Sequence, residues 1–125
     1  MSFTGEELLE YARSLYDEVM GSKDNLGGMQ QAALRTILSR AYYSAFLETR
    51  SYLNMESDQS GSVHGKVQSE IQKKNRTMGN HISDLKRLRT KADYRRAAAF
   101  TPSHARRSLS MAKAVIDGLK KLRAE

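Results

Sequence analysis

Apolar residues recur along this chain every three or four positions, the spacing of one face of an α-helix, and no stretch alternates as a strand would. Leu8, Ala12, Leu15, Tyr16 and Val19 predict a first helix from about Gly5 to Met20, opened by a capping box of Thr4 and Glu7. GSKDNLGG, Gly21 to Gly28, reads as a breaker loop. Leu34, Ile37, Leu38, Ala41, Tyr42, Ala45, Phe46 and Leu53 then form a broad stripe on a second helix from Met29 to about Met55, the longest, and the expected backbone of the core. Glu56 to Ser62 is a polar loop. Val63, Val67 and Ile71 mark a short third helix carrying His64, which Asn75 to Gly79 interrupts. A fourth runs from about Asn80 to Arg95, and Thr101 as N-cap with Pro102 in the first turn opens a last one, with Ala105, Leu109, Ala112, Ile116, Leu119 and Leu122 on one face. The expected fold class is all-α: an up-and-down bundle of roughly four to five helices with loops of about four to eight residues, in a single domain over residues 1–125.

Composition sharpens this picture little, but charge changes it. The 125 residues include one Pro, eight Gly and no Cys, so disulfides and thiolate metal sites are excluded. No apolar run approaches the roughly 20 residues of a membrane span, and the acidic, polar start MSFTGEELLEYARS is unlike a signal or transit peptide. A cytoplasmic chain with no membrane partner is expected. The net charge of +7 hides a split. Met1 to Val63 holds five Lys/Arg and nine Asp/Glu, or −4, whereas His64 to Glu125 holds sixteen and five, or +11. Such asymmetry suits a polyanion, nucleic acid above all, or an acidic partner protein, although many domains are basic without binding anything.

The positive charge concentrates in LKRLRTKADYRR, Leu85 to Arg96, where six cations and one acid flank an apolar stripe of Leu85, Leu88 and Ala92. Lys86, Arg89, Asp93 and Arg96 share a neighbouring polar face, and Arg89 and Asp93, four apart, are within reach of each other. A guanidinium at the edge of a buried stripe is partly desolvated and can fork onto a phosphate. The blander alternative is a solvated helix face with an ordinary ion pair. On the second helix, adjacent Tyr42 and Tyr43 cannot share a face. Tyr42 is expected in the core, and Tyr43, near Ser39 and Arg40, at a site edge.

No Gly-rich phosphate loop, Ser nucleophile elbow or HExxH motif is present. His64, His81 and His104 fall on three predicted helices with no carboxylate at ligand spacing, so neither a metal nor a cofactor is expected.

Three blocks together resemble the small prokaryotic HEPN domains: SRAYYSAF at Ser39 to Phe46, VHGKV at Val63 to Val67, and LKRLRTKADY at Leu85 to Tyr94. The likeness spans about Thr4 to Leu122 and is nearest to the subgroup with an Arg-x-x-Ala-Asp-Tyr motif. It implies a helical bundle that forms a homodimer, bringing two copies of the Arg-containing helix around a cleft, and Arg40, Tyr43 and His64 are candidates to support that site. In catalytic members an Arg, followed after four to six residues by a His, cleaves RNA without metal. The 2′-hydroxyl attacks the adjacent phosphate, the His handles a proton and the Arg steadies the added charge.

Arg89 matches that Arg, but Tyr94, Arg95 and Arg96 follow where the His is expected. An ionised Asp93 can accept the 2′-hydroxyl proton, though a carboxylate beside a guanidinium is a weakened base. A phenol such as Tyr94 donates or protonates a leaving group but is a poor base at neutral pH. On a regular helix Tyr94 points away from the Arg89 face unless the helix ends there.

Three functions stay open on the sequence. One is a toxin-like or phage-defence ribonuclease with Arg89, Asp93 and Tyr94 as its chemistry. The second is a non-catalytic RNA or nucleotide site held by Lys86, Arg87, Arg89, Lys91, Arg95 and Arg96. The last is an adaptor whose basic half docks an antitoxin or a nucleotidyltransferase.

Overall fold

A computed structural model describes residues 3–21 and 28–125. Among the described residues five helices make up the fold: α1 (Gly5–Gly21), α2 (Gly28–Tyr52), α3 (Val63–Lys74), α4 (Arg76–Tyr94) and α5 (Pro102–Ala124). Most of the expected loop between α1 and α2, residues 22–27, lies outside the described residues.

Helix α2 is the central post: it packs against each of the other four, while α4 also touches α3 and α5, and α1 touches α5. Its stripe explains why, since Leu34, Ile37, Leu38, Ala41, Tyr42, Ala45 and Phe46 are all buried. Around them lie Val67 and Ile71 of α3, Ile82 and Leu85 of α4, and Ala105, Ala112, Val115 and Leu119 of α5. Fully burying each Leu or Ile stabilises the fold by about 1.5–3 kcal/mol before entropy is counted. The bundle is all-α as the periodicity predicts. Among the described residues no helix is long and apolar enough to cross a membrane.

Both expected N-caps form. Glu7 N–H donates to Thr4 Oγ1 at 3.0 Å and Thr4 N–H to Glu7 Oε1 at 3.1 Å. At α5, His104 takes the part a Glu normally plays. Thr101 N–H donates to its Nδ1 at 3.0 Å, and His104 N–H returns a bond to Thr101 Oγ1.

Two boundaries differ from expectation. Helix α2 stops at Tyr52, not near Met55, because Asn54 takes a left-handed backbone with φ 57°. Met55 N–H then reaches back to Arg50 O at 3.0 Å and Asn54 N–H to Ser51 O at 3.1 Å, the bond pair of a Schellman stop.

The interruption expected over Asn75 to Gly79 shrinks to one residue. Asn75 N–H donates to Ile71 O at 2.8 Å, closing α3, and its side chain accepts from Met78 N–H at 3.1 Å, opening α4. Gly79 is no breaker. It is buried inside α4 where a Cβ would lie 2.6–2.9 Å from Gln72 atoms, so its lack of a side chain lets α3 and α4 close together.

Candidate anion site at the junction of α2, α3 and α4

Leu85 and Ala92 are buried as the stripe on α4 predicts, which carries Arg89 to the seam with α2. The Arg89 side chain is only 18% exposed. Its Nη2 donates to Tyr43 Oη at 2.7 Å, and its Cζ sits 5.1 Å from the Tyr43 ring centroid, 5.9 Å from that of Tyr42 and 5.8 Å from that of Tyr94. Three electron-rich ring faces thus hold one guanidinium.

Asp93 Oδ2 lies 2.9 Å from Arg89 Nε, yet the Nε–H is not aimed at it, and this buried donor has no hydrogen-bond acceptor. The contact is an ion pair by proximity. An unmade bond at a buried donor costs about 1–3 kcal/mol.

Tyr94 does not point away from Arg89. Helix α4 ends at this residue and Arg95 is extended (φ −110°, ψ 97°), so the 71% exposed ring can lie by the guanidinium.

Tyr42 is wholly buried, and its hydroxyl is 2.5 Å from Nδ1 of His64 on α3. Burial pushes the Tyr42 phenol well above its ordinary range, against the pull of Arg89, so it keeps its proton. A buried O–H needs an acceptor, and among the described residues Nδ1 is the one within reach. The neutral imidazole therefore carries its proton on Nε2.

His64 stacks on Phe46 with centroids 4.1 Å apart and planes 13° apart. Its pKa is lowered, first by burial, then by the positive fields of Lys86, Arg89 and Arg50. It is thus a neutral N–H donor in a cationic neighbourhood.

The remaining candidates divide between two grooves. Lys86, Arg87, Lys91 and Arg95 line one on the outer side of α4 together with Ser83 and Thr90, a concavity of about 370 Å³, with Arg87 paired to Asp84. Arg96 lines the other, beside Arg35 and the stretch Ala97 to Ala99.

Arg40 is exposed, with no hydrogen bond or ion pair among the described residues, and is not gathered to Arg89. Four helical positions from Ser44 and three from Tyr43, it turns outward while its neighbours Ala41 and Tyr42 take the core.

Several contributors escaped the sequence reading. Arg50, four residues after Phe46, places its Cζ 5.4 Å from that ring, and its buried Nε–H also has no acceptor. The signal was an Arg continuing the apolar stripe of the longest helix.

Arg35 donates from Nη1 to Ala92 O at 2.8 Å and from Nη2 to Arg96 O at 3.2 Å and to Ala98 O, and its Cζ lies 5.2 Å from the Phe100 ring centroid. Gln31 both donates to Phe100 O and accepts from Phe100 N–H, at 2.6 and 3.0 Å. Together they pin the strand of chain leaving α4 onto α2, which fixes where Tyr94 stands. Among the described residues no three His, Asp or Glu side chains cluster where a metal ion could sit.

Comparison with known proteins gave no match: no family model, curated protein or solved structure is significantly similar to the chain.

Proposed function

We propose that this protein acts on RNA as a metal-independent ribonuclease of the HEPN kind. The supporting observation is the Arg89 guanidinium, held under three tyrosine rings with a buried Nε–H that lacks an acceptor. Such a group is preorganised for a phosphodiester and gains most when negative charge accumulates on phosphorus.

In this reading Asp93 takes the 2′-hydroxyl proton while the 2′-oxygen attacks phosphorus. The bond to the 5′-oxygen breaks, and that oxygen receives a proton from Tyr94 or from water. A homodimer would set two Arg89 sites across one cleft, a toxin or phage-defence role in the cytoplasm would follow, and an antitoxin or nucleotidyltransferase would be the partner.

The test is incubation of purified protein with single-stranded RNA in EDTA. Wild type is expected to leave 2′,3′-cyclic phosphate ends, and Arg89→Ala to lose about 10²–10³-fold in rate with its helical content unchanged. RNA left whole at high wild-type concentration would sink the ribonuclease.

One observation favours a second reading, binding without turnover. Tyr42 spends its hydroxyl proton on His64 Nδ1, so the histidine nearest Arg89 presents a donor and not a base. Asp93 is then the remaining acceptor. Retention of RNA without cleavage, weakening with salt by about 0.7 log units per log unit for each phosphate engaged, identifies that case.

A further inference from the structure

Two arginines, not one, meet the aromatic cluster at this junction, and they come from different helices. Arg89 of α4 lies against Tyr42 and Tyr43, whereas Arg50 of α2 lies against Phe46, the ring on which His64 stacks. Each has a buried Nε–H with no acceptor. Arg50 goes further, for its guanidinium has neither a hydrogen bond nor an ion pair among the described residues.

The nearest acids do not answer it. Glu48 and Glu56 line the same cleft as Arg50. Glu48 is engaged, accepting from Glu6 N–H at 3.3 Å and standing 3.9 Å from Arg123 Nη1, and Glu56 is exposed with no ion pair among the described residues. A half-buried cation without a counterion is costly unless an anion arrives to meet it.

We propose that Arg50, with the Nε2–H of His64 between it and Arg89, seats a second backbone phosphate, so that the site takes a single strand by two consecutive phosphodiesters. This rests on the reading of Arg89 as an RNA-directed clamp and adds the register of the strand. Arg89 holds one phosphate. The next meets the Arg50 fork, and His64 offers an uncharged hydrogen bond that does not add to the cation repulsion already present.

The groups facing His64 are Tyr42, Tyr43 and Arg50 from α2 and Lys86 and Arg89 from α4. None of these changes charge between pH 5.5 and 7.5 by ordinary behaviour. Because Nδ1 is taken by the Tyr42 hydroxyl, His64 meets the diester as an uncharged Nε2–H donor.

The probes are 2′-O-methyl uridine oligomers without terminal phosphates, a dinucleotide with one bridging phosphate and a trinucleotide with two. Blocked 2′-oxygens prevent cleavage, and diesters do not titrate in this range. Wild type is expected to bind the trinucleotide about tenfold more tightly than the dinucleotide, the worth of one charge-assisted contact. Arg50→Gln should bind both alike, and Arg89→Gln should bind both weakly. His64→Phe, which keeps an aromatic ring on Phe46 but has no donor, should bind the trinucleotide more weakly than wild type at about pH 7.5, and unchanged affinity would remove His64 from the seat.

As a readout that needs no variant, the trinucleotide but not the dinucleotide should shift the Arg50 Nε–H resonance of the wild-type protein. If Arg50→Gln keeps the full gain from the second phosphate, or that resonance stays put, the two-phosphate seat is wrong and the Arg89 clamp survives. If neither oligomer binds the wild type, both ideas fall.

Discussion

At the scale of the residue, His64 shows how a single hydrogen bond sets chemistry. Tyr42 is fixed by total burial, its proton goes to the one acceptor within reach among the described residues, and the imidazole is thereby left neutral with its own proton on Nε2. The stability consequence has a definite sign. In the fold this imidazole holds a proton less readily than the ordinary value near 6.5, so the unfolded chain takes one up first as acid is added. The His64 contribution is whole above about pH 6.5, shrinks as pH falls through the folded pKa and then levels. Urea midpoints at pH 7.5 and 5.5 should therefore differ more for wild type than for His64→Phe. Equal differences would mean that the imidazole is not held neutral. The sequence placed Tyr42 in the core and Tyr43 at the site edge, because two adjacent helical residues must face apart. It could not place His64 beside Tyr42, since 22 residues and a polar loop separate them.

At the scale of the element, the largest departures come from residues whose local character misled. Gly79 looked like a breaker by propensity, and Gly in a helix interior indeed costs about 1 kcal/mol relative to Ala. Here packing decides, because a methyl at that position runs into Gln72 of α3. Gly79→Ala should consequently destabilise by about 1–3 kcal/mol, the opposite sign to the propensity change, as read from the urea midpoint. Stabilisation would mean that α3 and α4 have room to part. Arg35 is the second case. In sequence it is one cation on a long helix, but in the fold it serves three carbonyls at and beyond the end of α4. Arg35→Ala should leave the helices intact while amide exchange across Arg95 to Phe100 accelerates, with a stability loss of about 2 kcal/mol. Unchanged exchange there would show that Gln31 alone suffices. By contrast, the stripes on α2, α4 and α5 and both N-caps were legible. Spacing and capping chemistry act over a few residues and need no tertiary context.

At the scale of the whole molecule, the charge split takes on a shape. The acidic half is α1 and α2, the basic half α3 to α5, and the candidate site lies on the seam where α2 lends its rings to the cations of α4. Arg50 is the exception, a cation from the acidic half, which is why no count of charge by halves could find it. Mixed origin of this kind also separates the site from the outer groove of Lys86, Arg87, Lys91 and Arg95, which draws on α4 alone. The groove offers charge to any polyanion. The seam offers charge with rings and a fixed donor, and so has the means to discriminate.

The single residue joining α3 to α4 gives this arrangement its tolerance. Asn75 terminates one helix and starts the next, so the imidazole on one and the guanidinium on the other share a rigid corner with no slack. Apart from Asn75, whose side chain caps α4, and Gly79, which has no room for one, changes of side chain around that corner leave the span between the two groups untouched. One extra residue would swing a whole helix about its axis and carry His64 out of register with Arg89, so the chain's spacing there is under tighter constraint than its spelling.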